Sequence, residues 1–289
     1  MTPAATARPR RAPGPVAADC SIDQRWSAYS AEEHERWDAL TARMMETLPG
    51  RASSAFLRAA ETLKLSEGGI PEFERLSDRL EAKTGWRVIG VPGLVADETF
   101  FDHLANRRFP AGCFIRDADE MDYIEEPDVF HDVFGHVPLL ADPAYADFMA
   151  AYGRGGLRAL SLGRLENLAR LYWYTIEFGL IREAGALRTF GAGIMSSQTE
   201  TVFALEDGSP NRIGFDLERV MRTDYRIDDF QQTYFVIESF DALLDAAMTD
   251  FGPLYERLAD GRAFRPEDLA PGDAVIHHGD QAYFNAKRR

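Results

Sequence analysis

The sequence predicts one mainly α-helical domain with a few short β-strands. Three observations lead there. From Trp26 onward, apolar residues recur mostly at three- and four-residue spacing. Strand-like patterns are short and few. No internal repeat, low-complexity linker or strand–helix–strand alternation interrupts the helical pattern, which excludes a doubly wound sheet.

The elements follow in order. Residues 1–22 stand apart: the first twenty hold four prolines and three arginines, with no acid before Asp19. Pro3, Pro9, Pro13 and Pro15 prevent the amphipathic helix of a transit peptide, and no apolar stretch resembles a secretory core. This composition predicts a disordered N-terminal tail, leaving 23–289 as the folded domain. Ser30 followed by Glu33 fits a capping box, and Trp37, Leu40, Met44 and Leu48 make the apolar stripe of the helix it starts. Shorter helical patterns cover about 53–63 and 71–83. Residues 86–91 alternate as a strand stopped by Pro92-Gly93, and Asp97 fits the N-cap of a helix carrying Phe100, Phe101 and Leu104. A second short strand is expected near 112–116. Helical patterns return at about 127–134, 142–152 and 164–184. From about 252 the chain is rich in Pro, Gly and charge, and reads as an irregular tail.

The charge balance is 32 basic against 47 acidic residues, a formal −15. Such a surface repels phosphate, so nucleic acid and anionic membranes are excluded as partners. No apolar run reaches the roughly 18 residues of a membrane span. Cys20 and Cys113 support neither a disulfide framework nor a zinc motif, so the expected location is a reduced cytoplasm.

Chemistry concentrates in Glu126–Pro138, where His131 and His136 lie five residues apart among apolar neighbours. On a continuous α-helix that spacing points them roughly 140° apart. Gly135 and Pro138 predict a helix end, so that His136, just past it, swings back beside His131. The pair alone is equally a pair of packed core histidines. Glu177 shifts the balance. Read as helical, its neighbours Trp173, Tyr174, Leu180 and Ile181 are all apolar or aromatic, so this carboxylate points at the core and needs a compensating charge. A salt bridge to an arginine would serve, and so would a metal shared with the two imidazoles. Two histidines and one carboxylate form the facial triad of non-haem ferrous enzymes, though the same set also suits zinc. A zinc peptidase is disfavoured, because no HExxH is present. His34, His103, His277 and His278 show no partner pattern.

The blocks EPDVFHDVFGHVPLL, ARLYWYTIEFGLIRE and FGAGIMSS, in that order, resemble the pterin-dependent aromatic amino acid hydroxylases, most closely their bacterial phenylalanine-hydroxylating members. The likeness runs from about Trp26 to about Ala246. It implies that residues 23–289 are a catalytic domain of that type. It implies iron ligands at His131, His136 and Glu177, which are also the catalytic set. It places the substrate-carboxylate arginine on Arg116, and Ile124, Pro127, Trp173, Ser196 and Ser197 around the substrate. Pterin contacts fall on Gly93, Val95, Asp97, Phe100 and Asp132, with Phe100 stacking on the flat bicycle. Two positions depart from the pattern. Ile124 replaces a common threonine, and Val95 a common leucine.

The resemblance further implies hydroxylation of L-phenylalanine to L-tyrosine with O2, Fe(II) and tetrahydrobiopterin or a related tetrahydropterin, through a ferryl-oxo intermediate. That reaction is the first step of phenylalanine catabolism, and enzymes that recycle the pterin are implied functionally rather than as stable partners. Hydroxylation of tyrosine or tryptophan is the nearest alternative, and a metal-binding member without turnover the next. The family's regulatory domain and tetramerisation helix have no counterpart in the sequence, which predicts a monomer.

Overall fold

The Ser30–Glu33 capping box forms as the sequence predicts. The Ser30 hydroxyl accepts from the Glu33 amide at 3.2 Å, and the Glu33 carboxylate accepts from the Ser30 amide at 2.7 Å. It opens the helix Ala31–Thr47, whose Trp37, Leu40 and Met44 are buried. These features come from a computed structural model that describes residues 14–122, 124 and 126–287. Residues 1–13 of the expected tail lie outside the described residues. Residues 14–22 are described, and they lie on the domain. Ile22 bridges Gly90, and the Asp19 carbonyl lies 2.8 Å from Nε2 of the fully buried His103.

Helices Ser54–Thr62 and Phe73–Thr84 match the expected pair. Strand β1 (Arg87–Val91) then pairs in parallel with β2 (Arg108–Gly112), Val88 opposite Phe109. The sequence places this second strand later, near 112–116. Pro110 argues against a strand, but among the described residues β2 has β1 as its only strand neighbour, and an edge tolerates a residue without an amide hydrogen. Between them runs the helix Asp97–Ala105, for which Ala96 rather than Asp97 is the N-cap. Asp97 instead occupies the first turn, where its charge suits the helix dipole.

The long helix Pro143–Leu162 is the spine of the domain. Asp142 caps its start and Gly163, at φ 65°, its end. Helices Asp97–Ala105 and Phe240–Met248 pack against it. The first approach is close because Gly156 has no side chain: a Cβ there would fall 2.1 Å from the Phe101 ring. A five-stranded sheet flanks this layer, in the order β4 (Ala186–Thr189), β3 (Leu180–Glu183), β6 (Thr233–Ile237), β5 (Asn211–Gly214), β7 (Val275–His277). β3 and β5 pair in parallel with β6, while β4 and β7 are antiparallel additions.

Two expectations are corrected here. The helix expected over 164–184 stops at Glu177, and Leu180–Glu183 form β3. Pairing with β4 along its length and with β6 at Leu180 and Ile181 makes a strand of an apolar run that reads equally as helix or strand. The stretch from about 252, expected to be irregular, contains helices Phe251–Leu258 and Ala282–Lys287 and strand β7. Phe251, Leu254, Tyr255 and Leu258 repeat at helical spacing, a signal the Pro, Gly and charge around them obscure, while Phe284 is a lone anchor with no period.

A candidate metal centre between two cavities

His131 and His136 do not straddle a helix end. Both lie on one π-helical segment, Phe130–His136, followed by a 3₁₀ turn, Val137–Ala141, that holds Pro138 in its first turn. A π-turn bonds residue i to residue i+5, so a five-residue spacing brings the two imidazoles to one face. Their Nε2 atoms lie 3.2 Å apart. Gly135 is therefore not a helix cap. It lets this segment press against the short helix Ala192–Met195: a Cβ on Gly135 would lie 2.9 Å from the Ala192 carbonyl oxygen and 3.1 Å from the Ala192 Cβ. Gly135→Ala is expected to destabilise the fold by about 1–3 kcal/mol through overpacking, seen as a lower urea midpoint with an unchanged slope.

Glu177 ends a second π-helical segment, Trp173–Glu177, closed by the Phe178 amide donating to the Trp173 carbonyl at 2.9 Å. The Thr175 hydroxyl contributes to this wider turn by donating to the Leu171 carbonyl, the acceptor its own amide would take in an α-helix. The Glu177 carboxylate lies 3.1 Å from His136 Nε2 and 3.6 Å from His131 Nε2. One ligating atom from each of the three falls within 4.8 Å of the others. Among the described residues no other such group exists.

The protonation states suit a cation. Burial pushes His131 down to about 4, against the pull of Glu177, so its imidazole is neutral at pH 7. Burial would raise Glu177, but the charges of His136 and His131 and hydrogen bonds from His136 and Tyr172 outweigh it and hold the carboxyl at about 2. Ser196 selects the His131 tautomer. Its hydroxyl donates to the Ala192 carbonyl at 2.8 Å, so it accepts from His131 Nδ1, 3.0 Å away, which leaves the Nε2 lone pair facing Glu177. His136 Nδ1 is buried with no such partner. Two inward-facing imidazoles, one carboxylate and edges of 3.1–3.6 Å fit one face of a divalent ion with bonds of about 2.1 Å.

Two cavities meet at this centre, and His131, Glu177, Pro127 and Trp173 line both. The first, about 380 Å³, is lined by all five residues assigned to the pterin: Gly93, Val95, Asp97, Phe100 and Asp132. Phe100 sits edge-on to Tyr172 at 6.0 Å. Asp132 accepts from the Gly112 amide at 2.7 Å, yet burial still pushes its carboxyl up to about 7. The second cavity, about 660 Å³, is lined by all six residues assigned to the substrate: Arg116, Ile124, Pro127, Trp173, Ser196 and Ser197. Ser197 also caps the helix Gln198–Glu206.

Arg116 is buried and half committed. Its Nε and Nη2 donate to the two oxygens of Asp128, both at 2.9 Å, which leaves Nη1 without a protein acceptor among the described residues. Asp128 also accepts from the amides of Arg116 and His131, so one carboxylate ties the arginine to the π-helical segment that carries both histidines.

The family model for biopterin-dependent aromatic amino acid hydroxylases matches residues 23–257. The chain belongs to that family. The hydroxylase is 59% identical to the phenylalanine-4-hydroxylase of Caulobacter vibrioides over 94% of this chain and 92% of the relative. To the Ralstonia nicotianae phenylalanine-4-hydroxylase it is 55% identical, over 90% and 83% respectively. The crystal structure of Chromobacterium violaceum phenylalanine hydroxylase with iron and phenylalanine bound superposes with a TM-score of 0.86 at 51% identity, covering 90% of this chain and 95% of that one. As a family member the hydroxylase is a pterin-dependent monooxygenase whose fold is the catalytic domain of that family.

Sequence reasoning missed three residues of the site. Tyr172 lines the first cavity and helps hold the Glu177 carboxyl low, Asp128 anchors Arg116 and His131, and Tyr225 stacks on Trp173 at 4.4 Å. Only Asp128 carried a readable signal, an acid three residues before a histidine at a helix start.

Proposed function

We propose that the hydroxylase is a phenylalanine 4-monooxygenase, converting L-phenylalanine, O2 and a tetrahydropterin such as tetrahydrobiopterin to L-tyrosine and an oxidised pterin. The observation that carries this reading is the cluster of two histidines and one carboxylate at the junction of the two cavities. His131, His136 and Glu177 would hold Fe(II), which together with the pterin supplies the activation of oxygen.

The chain's own residues supply placement. Arg116 presents Nη1 to an amino acid carboxylate while Asp128 fixes its plane. Trp173, Pro127 and Phe178 form an apolar wall for the aromatic ring and keep water away from the reacting carbon. Ile124 offers that ring carbon rather than a hydroxyl. Phe100 and Tyr172, set edge to face, give the first cavity aromatic walls against which a bicyclic pterin would rest. Aerobic product analysis with phenylalanine, tyrosine and tryptophan, each with a tetrahydropterin, tests the reading. Tyrosine formed from phenylalanine, with the other two poor substrates, is the expected result, and no product from any of them overturns it.

Arg116→Lys keeps the charge but loses the planar fork. It is expected to raise KM for phenylalanine by roughly 30- to 150-fold, equivalent to about 2–3 kcal/mol, with iron content normal. Steady-state kinetics beside metal analysis check it, and unchanged saturation would assign the carboxylate to another residue.

We further propose a cytoplasmic monomer acting in phenylalanine catabolism. No described helix is long and apolar enough to cross a membrane. The large apolar side chains most exposed, such as Leu94, Ile227, Met248 and Leu162, come from separate segments of the chain. Light scattering at micromolar concentration should return the 32.4 kDa chain mass.

A further inference from the structure

We infer that the C-terminal helix Ala282–Lys287, through Tyr283 and Lys287, is a positioning device for the loop that walls the second cavity. The inference rests on the reading of that cavity as the amino acid site.

The loop is residues 226–232, between the helix Leu217–Met221 and β6. Ile227 to Gln231 all line the cavity, although Ile227 is 73% exposed and the segment forms no helix or strand. Inside the loop, the Gln231 side chain donates to the carbonyls of Arg226 and Asp229, and an exposed pair joins Arg226 to Asp228. The stronger restraint comes from outside. The Tyr283 hydroxyl donates to Asp229 Oδ1 at 3.0 Å, and Lys287 Nζ donates to both oxygens of the same carboxylate at 2.8 and 2.9 Å. Lys287 Nζ also lies 4.4 Å over the Tyr283 ring, so the two side chains hold each other. The next residue, Phe230, is stacked on Phe203 at 4.4 Å with the Tyr283 ring 5.4 Å away.

The helix can serve as an anchor because it is itself fixed. Phe284 is buried against Phe203, the Tyr283 amide donates to Ser209 Oγ at 2.7 Å, and Gln281 and Gln232 exchange hydrogen bonds at 3.1 and 3.2 Å. The inward end of the relay is Gln231, whose Oε1 accepts from Trp173 Nε1 at 2.8 Å. Trp173 lines both cavities. A chain of contacts thus runs from Lys287 through Asp229, Phe230 and Gln231 to the wall against which an aromatic substrate would rest. Tyr283 and Lys287 line neither cavity, and both lie beyond the residues matched by the family model. Their effect is preorganisation: an unheld loop must be ordered by the substrate itself, at a cost in affinity.

The test uses the full-length, iron-loaded enzyme carrying Tyr283→Phe with Lys287→Met, and a second form truncated after Gln281. The double variant is expected to raise KM for phenylalanine about three- to tenfold, and the truncated form more, while KM for the pterin and iron content stay within twofold. Tyr283→Phe with Lys287→Arg, which keeps the cation on Asp229, should recover most of the loss. A parallel rise of both KM values would mark a merely structural role and overturn the inference, as would an unchanged KM for phenylalanine. If the truncated form does not fold, the point variants decide alone. Wild-type enzyme that turns over no aromatic amino acid overturns the functional reading and this inference with it.

Discussion

Glu177→Ala is expected to abolish both iron retention and hydroxylation. The carboxylate is the only anionic member of the trio, and without it two imidazoles alone remain to compete with water for a divalent ion. Changes to residues that merely support a ligand cost 10–100-fold, so removal of the ligand itself should exceed 100-fold. Metal analysis after gel filtration, read beside phenylalanine turnover, measures both consequences. Full occupancy with retained activity would falsify the assignment. The fold should survive, because Glu177 is a largely buried carboxylate facing a cavity junction and its loss removes a buried charge.

Asp128→Ala has the largest expected effect on stability. Asp128 is fully buried and Arg116 only 5% exposed, so truncation strands a guanidinium in the interior and leaves the His131 amide without its acceptor. Breaking a buried pair from one side costs about 3–5 kcal/mol. Urea unfolding of variant and wild type measures the loss, and a midpoint shift equivalent to less than 1 kcal/mol would contradict the anchoring role. The pair also sets an acid limit. Burial alone would raise the Asp128 carboxyl, but hydrogen bonds and charge from Arg116, with the His131 and Arg116 amides, hold it below its ordinary value near 4. Its stabilising contribution is therefore complete above that value and is lost as the pH falls through the lowered one.

The chemistry of this chain could be read from residue types more readily than its geometry. A glutamate among Trp173, Tyr174 and Ile176 announces an unusual carboxylate, because burying charge is costly wherever the backbone goes. The Ser30–Glu33 box is similarly local, and it forms as read. The π-turns were not readable. Helical periodicity presumes about 3.6 residues per turn, so a five-residue histidine spacing suggested a broken helix instead of a wider one. β2 escapes for a different reason: its partner lies 21 positions away, Arg87 with Arg108, which no window of neighbours contains. β3, by contrast, pairs along its whole length with the nearby β4 across the Ala184-Gly185 turn, a local signal masked by an apolar run that reads equally as helix. The C-terminal helix is held by single anchors such as Phe284, and isolated anchors leave no period to detect.

Pro127 and Trp173 stand as a party wall, each with one side toward either cavity. An occupant that shifts this partition from one side changes the space open to the other. Whatever factor the first occupant contributes to the affinity of the second is returned to the first unchanged, because a thermodynamic cycle must close. Where one occupant shifts the wall, saturating its cavity changes the apparent affinity measured in the other, by the same factor in either direction.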